Sequence, residues 1–537
     1  MKKLVSILLS AMLVMTALVG CGDKGDTKEL RNVVRYNLEA DVKTIDPALN
    51  AAVDGAIVTV NAFEGLMRLD DNDKAIAGVA ESFDVSEDGT VYTFHLRDSK
   101  WSDGEALTAK DFEYAWKRAL SKEAAAEYAY QLYYLKNGEA YNKGEVAADE
   151  VGVKAIDDKT LEVTLESSVP YFLELTAFPT YFPVRQDMVE AHGEQWALKP
   201  ESYITNGPFK LEKWEKGNIM AFVKNENYYD ADRIKLDGIE FSFMEEISTA
   251  MASFESGDVD ALHRVAREQI PTFQAENNPE FKIFPQIGTY FYAFNVNVEP
   301  TNDLKVRQAF TLAIDREAIT KVVTKGGETP ATGFVPTGMT QPDGKDFREA
   351  GGDYGITTTA QVEKAQALLA EAGYPNGEGF PKIKFVYNTN ENHKKVAEAI
   401  SEMWKQNLGV EVELVNQEWQ VFQNTRNEGD FVIARDGWVG DYVDPMTFID
   451  MFISTSGNNH PHWNSEEFDN IVREAKLTSD ETKRFEMMHK AEDMIMADMI
   501  VMPVYYYTNP KMFKEYVKGA RVSPLGFVYF DNAYIEQ

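Results

Sequence analysis

The sequence predicts a mixed α/β protein of two or three domains, and three observations lead there. Its 537 residues are too many for a single hydrophobic core. The composition, 44% hydrophobic, 12% aromatic and 26% charged, is that of a globular chain without low-complexity tracts or tandem repeats. Hydrophobic periodicity changes along the chain, from hairpin-like alternation early to strand and helix patterns in turn late.

In the first third, Phe83 to Val85, the turn pair Asp88-Gly89 and the alternating Tyr92, Phe94 and Leu96 predict a hairpin with one buried face. Thr108 to Asp111 has the form of a capping box, opening a helix whose apolar Phe112, Ala115, Trp116 and Ala119 recur at helical spacing. Leu161, Val163 and Leu165 alternate with Glu162, Thr164 and Glu166, as in a half-buried strand. These signals are structural and carry no chemistry.

The late segment says more. Thr358 to Gln361 predicts a cap for a helix running to Ala372, stopped by Gly373 and Pro375. A strand is expected over 382–387, a helix over 392–408 ending before Gly409, a strand over 410–415, a helix over 419–426, and after Gly429 a strand over 431–434. That βαβαβ order predicts parallel, adjacent strands joined by right-handed crossovers. Open parallel sheets bind ligands beyond the carboxyl ends of their strands. There the sequence places Arg435-Asp436-Gly437-Trp438-Val439-Gly440-Asp441-Tyr442, expected as a loop.

The content of that segment suits an extended zwitterion. A buried ammonium needs an ionised carboxylate to offset its desolvation, and Asp441 supplies one. Gly437 and Gly440 permit close backbone approach, so an extended ligand can add as a strand whose main-chain hydrogen bonds ignore side-chain identity. Trp438 and Trp419 offer flat walls to variable side chains. Arg426, Arg435 and His393 are the nearby groups expected to neutralise a terminal carboxylate. The same composition also suits an exposed turn.

Acidic residues outnumber basic ones, 87 to 54, for a formal charge of −33. A field of that sign repels nucleic acid and anionic membrane surfaces, although it also serves plain solubility. The single cysteine, Cys21, follows Lys2-Lys3 and an apolar run from Leu4 to Val19. This arrangement resembles a bacterial lipoprotein signal, with a leader over 1–20, a lipid on Cys21 and a short tether over 21–29 that holds the protein to the outer face of the cell membrane. With Cys21 acylated, no thiol remains for a disulfide, a nucleophile or a cysteine metal site.

Several stretches carry a wider resemblance: Thr44-Ile45-Asp46-Pro47, Phe63-Glu64-Gly65-Leu66, Tyr92 through Arg97, Lys100-Trp101-Ser102-Asp103-Gly104, Thr108 through Phe112, Asn206-Gly207-Pro208-Phe209, Val306 through Phe310, Ala313 through Arg316, and Val504-Tyr505-Tyr506-Tyr507. With the segment from Asn416 to Tyr442, the chain resembles the oligopeptide-binding lipoproteins of peptide-importing ABC transporters, nearly end to end. The resemblance implies an α/β, bilobed, periplasmic-binding-protein-like fold (class II, three-domain) with mixed sheets and a ligand cleft between lobes. It divides the chain into a first domain over 30–63, 189–287 and 509–537, a second over 64–188, and a third, the opposing lobe, over 288–508. It implies that Asp441 meets the ligand ammonium, that Trp419 and Trp438 wall side-chain pockets, and that Gly437 and Val439 pair with ligand backbone. Arg426, Arg435 and His393 then meet the carboxylates of ligands of different length. Ala51, Ala52 and Val53 fall on a first-lobe strand, and Tyr128 is the one contact from the second domain. Relatives carry an acid where Ala51 stands, which puts a taste for lysine-rich ligands in doubt here, and cysteines where Gly288 and Val439 stand, whose absence is expected to leave closure unlocked.

The expected function is capture of short peptides outside the cell and delivery to membrane permease subunits driven by cytoplasmic ATPases, by a monomer without cofactor or metal. No Walker motif is present, so partners supply the energy. His460-Pro461-His462 lacks a third ligand, Asp46-Pro47 and Asp103-Gly104 read as turn formers, and Met487, Met488, Met494, Met496 and Met499 read as core filler. The Tyr505–Tyr507 run reads as sheet packing, with Tyr507 as a further ligand candidate. A receptor for a narrower ligand (peptide pheromone, dipeptide, murein peptide or nickel chelate) is the alternative within the fold. An envelope hydrolase is the alternative outside it, although neither HExxH nor GxSxG occurs.

Overall fold

Two long strands organise the molecule: Phe281–Phe294, of 14 residues, and Val501–Phe513, of 13, where about five or six is usual. The structure, a computed structural model, describes residues 32–71, 73–478 and 480–536. The expected leader, tether and lipidated Cys21 lie outside the described residues. Among these residues no helix is long and apolar enough to cross a membrane.

The long strands pair antiparallel twice, Phe281 to Pro285 against Thr508 to Met512 and Thr289 to Ala293 against Val501 to Tyr506, with the register broken between Pro285 and Thr289. Pro285 and Pro510 bring no N–H to the ladder near that break. To one side, the sheet continues through Ala261–Leu262, Val33–Asn37, Gly238–Ser242, Ile219–Lys224 and Phe209–Glu215; to the other, through Ile433–Val439, Lys384–Asn388 and Glu413–Gln417. One sheet of eleven strands, ten in a single hydrogen-bonded path and the short Thr329–Pro330 off it beside Val501–Phe513, therefore serves two lobes joined by the two long strands. Ala80–Val85, Val91–Leu96, Thr160–Thr164 and Val153–Ala155 form a separate antiparallel sheet.

Local sequence signals produce these elements. The early hairpin pairs Phe83 with Phe94 and Val85 with Tyr92. The helix Ala109–Leu120 opens with Asp111 accepting the Thr108 N–H at 2.8 Å and buries Phe112, Ala115, Trp116 and Ala119. Lys384–Asn388 lies between Glu413–Gln417 and Ile433–Val439, parallel to both, as the βαβαβ pattern requires. The helix Val362–Glu371 is present, but its expected cap is not: the Thr358 hydroxyl donates to Glu317 at 2.6 Å instead, and Gln361 makes no capping bond.

Four further expectations change. The strand placed at 410–415 begins at Glu413, because Gly409 ends the preceding helix in the left-handed region (φ 71°) and Val410 turns into the core. The strand placed at 431–434 runs on to Val439, since Phe281–Phe294 pairs with it from Phe294↔Ile433 to Gly288↔Val439; Arg435 through Val439 are strand, not loop. Ala51 and Ala52 are in no strand, and Val53 starts the helix Val53–Ala62, with Ala52 as its extended N-cap (φ −135°, ψ 148°). The Asn50 side chain donates to the Ala52 carbonyl at 3.0 Å and holds the segment so. Finally, Gly288 and Val439 are direct neighbours in one ladder. A cysteine pair there would join two strands of the same lobe, so its absence does not bear on lobe closure; the Tyr507 ring occupies the space instead.

Asp46 is more than a turn former. It accepts the Ala48 N–H at 3.0 Å, both Arg118 nitrogens at 2.9 and 2.6 Å, and the Trp196 indole at 2.8 Å, while 3% exposed. It ties the segment before the first helix to that around Arg118. Asp46→Ala strands the Arg118 guanidinium, and urea unfolding is expected to show a loss of about 3–5 kcal/mol; a loss below about 1 kcal/mol would mean the pair is replaced by water.

Candidate ligand-binding site

A cavity of about 220 Å³ is lined from both lobes, and every ligand-contacting residue expected from the sequence reaches its wall. One lobe contributes residues 38–40, 50–54, 263–265 and Arg267; the other contributes Asn388, Thr389, Asn392, His393, Trp419, Arg426, 435–439 and Asp441; Tyr128 and Phe178 come from the segment carrying the separate sheet.

The strand Ile433–Val439 sets the site's frame. Its parallel neighbour pairs only at Ile433 and Ala434, whereas its antiparallel neighbour pairs along its whole length. From Arg435 onward one edge is therefore without a strand partner among the described residues. The Gly437 N–H turns to the Asp436 carboxylate at 2.8 Å. Gly437 has a local cause as well: a Cβ there would collide with the Tyr507 hydroxyl. Trp438 is buried and stacks on Tyr128, centroids 6.0 Å apart at 17°.

Asp441 follows this edge. It is 8% exposed, and its oxygens accept only neutral donors: Gln131 Nε2 at 2.7 Å and Tyr128 Oη at 3.2 Å. Its own N–H donates to Thr447 Oγ1 at 2.9 Å. Burial, then the neighbouring Asp450, pushes its carboxyl well above the usual carboxylate range. Among the described ion pairs none includes Asp441.

The cationic side of the cavity is built from helix caps and strands. Asn390 caps the helix Glu391–Leu408 by accepting the Asn392 and His393 N–H groups at 2.9 and 3.2 Å, which fixes His393 in the wall. Glu418 caps Trp419–Glu428 and sets Trp419 at its first position. Burial, then Arg435, Arg264 and Arg267, holds the His393 imidazole well below its usual pKa. At neutral pH His393 is thus a neutral hydrogen-bonding group, with Nδ1 unpartnered, and not a cation. Arg426 is not a spare cation either, because it pairs with Asp436. His460 Nδ1 bonds the other Asp436 oxygen at 2.6 Å. Burial alone would raise the Asp436 carboxyl; Arg426 and His460 override it and bring it to about 2. Arg435 donates to Tyr507 Oη at 2.9 Å and lies 4.9 Å over the Tyr290 ring, with Nε unpartnered.

Sequence reasoning missed a second group: Glu39, Asp54, Glu245, Arg264, Arg267 and Lys511 all line the cavity. Glu39 pairs with Arg264 and accepts from Asn390 of the opposite lobe, and Arg267 pairs with Glu328. Lys511 is 1% exposed, its Nζ donates to the His263 carbonyl at 2.7 Å, and burial, then Arg264, pushes its pKa well below the usual lysine range. These residues come from segments hundreds of positions apart, and no spacing pattern announces them.

Comparison with known proteins agrees with this architecture. Residues 74–460 match bacterial extracellular solute-binding proteins, family 5 (middle region). The oligopeptide-binding protein OppA of Bacillus subtilis is 37% identical over 99% of both chains. The crystal structure of Haemophilus influenzae OppA in complex with the peptide RPPGFSPFR superposes with a TM-score of 0.87 at 33% identity, covering 95% of this chain and 99% of that one. The unliganded open form of the murein tripeptide binding protein MppA, over 94% of this chain and 98% of its own at 32% identity, gives only 0.63. The lobes here stand as in the peptide complex and not as in the open form. By sequence match, fold and lobe arrangement, the chain belongs to family 5 of the bacterial extracellular solute-binding proteins.

Proposed function

We propose that this protein captures short peptides in extended form between its lobes and hands them to the permease of an ABC importer. The observation that carries this reading is Asp441, a buried carboxylate on the cavity wall whose partners are all neutral, beside a strand edge that lacks a partner from Arg435 onward. A peptide ammonium offsets the carboxylate's desolvation, and the peptide backbone adds to the free edge. The roles assigned to Arg435 and His393 at a terminal carboxylate, to Trp419, Trp438 and Val439 at ligand side chains and backbone, and to Ala51, Ala52, Val53 and Tyr128 on the facing wall belong to the same proposal. So do a lipid on Cys21, a monomeric state and the division at 30–63, 189–287 and 509–537, at 64–188 and at 288–508. Closure is a population shift, since only the closed form brings both lobes onto the ligand. Relatives named as dipeptide-binding and murein peptide-binding proteins keep a narrower ligand in view; native mass spectrometry of the freshly purified protein identifies which species it retains.

Calorimetry with a tetrapeptide and its N-acetylated form tests the central contact. The acetylated peptide is expected to bind more weakly by about 2–5 kcal/mol, and equal affinities would remove Asp441 from this role.

The pH dependence has a definite sign. Without ligand the Asp441 carboxyl is held above its unfolded value, so its ionisation works against the folded state as pH rises from the unfolded pKa toward the folded one. An ammonium ligand favours the ionised form. Peptide affinity should therefore fall with pH on the acid side, and binding there should release protons, measured as a buffer-dependent heat. Asp441→Asn should abolish the proton release and weaken peptide binding by about 2–5 kcal/mol, while leaving the unliganded protein's thermal midpoint at neutral pH equal or higher.

A further inference from the structure

Ala51 and Ala52 bring no charge to the cavity, but Asp54 does. It lies in the first turn of the helix Val53–Ala62, where a carboxylate is favourable beside the helix N-terminus with no ligand at all. That preference does not account for its surroundings. The carboxylate lines the cavity, as does the Trp419 ring of the opposite lobe, and it accepts the Gly55 N–H at 2.8 Å. Burial raises its pKa to about 6, so it is ionised at neutral pH at a cost that a cation would offset.

Two cations of the cavity wall are already engaged. Arg264 pairs with Glu39. Arg426, whose guanidinium lies 5.7 Å from the Trp419 ring, pairs with Asp436. Glu245 lines the same cavity, and burial, then Glu418, Glu39 and Glu246, raises its carboxyl. Among the described ion pairs none includes Asp54 or Glu245. Two carboxylates without a counter-charge thus share a cavity wall with an indole face, and a lysine or arginine side chain has the complementary build: methylenes for the ring and a cationic head for the acids.

Resting on the peptide-receptor reading above, we propose that Asp54 is a specificity-determining residue, selecting peptides with a basic side chain at the position that packs against Trp419. The residue is separate from Asp441, which takes the terminal ammonium in that reading.

The test is calorimetry on the full chain with alanine tetrapeptides, free at both ends, in which lysine or norleucine replaces each internal residue in turn. Norleucine keeps the methylenes and drops the charge. At one position the lysine peptide is expected to bind roughly tenfold to a hundredfold tighter than its norleucine counterpart. In Asp54→Asn that ratio should collapse to within about twofold of unity, and in Asp54→Glu it should persist. A ratio unchanged by Asp54→Asn, or no position at which lysine is preferred, overturns the proposal, even if the variant weakens all peptides alike. Absence of binding by every tetrapeptide would overturn the peptide-receptor reading itself and the selectivity with it.

Discussion

A buried carboxylate that meets only neutral donors is the constraint around which this protein is arranged. Asp441 sits on the cavity wall with Tyr128 and Gln131 as its side-chain partners, and an ionised group so placed is costly until a cation joins it. Three neighbouring acids are answered internally: Asp436 by Arg426 and His460, Glu39 by Arg264, and Asp450 by Lys476 at 2.8 Å. The contrast between these compensated acids and Asp441 separates groups that hold the scaffold from one poised for a ligand.

The sheet explains how such a group can be buried and still be reached. A single hydrogen-bonded path crosses from lobe to lobe through two long strands. Their register breaks between Pro285 and Thr289, where the ladder between them is interrupted. Beside the Trp438–Tyr128 stack, several contacts that span the cleft are hydrogen bonds: Tyr128 and Gln131 to Asp441, Asn390 to Glu39, Lys395 to Glu268 at 3.1 Å. Such bonds exchange with water at little net cost, unlike a dry apolar seam, and suit lobes that open and shut.

Within the cavity, charge is sorted. Burial, then Arg435, Arg264 and Arg267, holds His393 neutral on one side, while Asp441 faces Tyr128 and Gln131 on the other. On the proposed reading this polarity orients an extended peptide along the free edge of Ile433–Val439, amino end toward Asp441. The backbone edge supplies affinity indifferent to side chains, and selectivity falls to groups such as Asp54 and Trp419 that touch only what projects from the ligand.

Much of this was legible in the chain alone. The βαβαβ order over residues 382–434, the hairpin around Asp88-Gly89 and the box at Thr108 follow from periodicity and capping, which are local and therefore written in neighbouring residues. The segment after Ala434 was recognisable by its content, although its backbone state was not. Arg435 through Val439 look like loop by composition and are strand because Phe281–Phe294, remote in sequence, supplies the ladder. Likewise His393 and Arg426 are cations on paper, yet burial beside Arg435 neutralises the first and Asp436 engages the second. The sequence by itself determined most elements, the mixed α/β class and part of the cavity wall, because helix and strand patterns and residue chemistry are local properties. Only the tertiary structure decided which of those charges remain uncompensated, since desolvation and ion pairing depend on neighbours brought from hundreds of residues away.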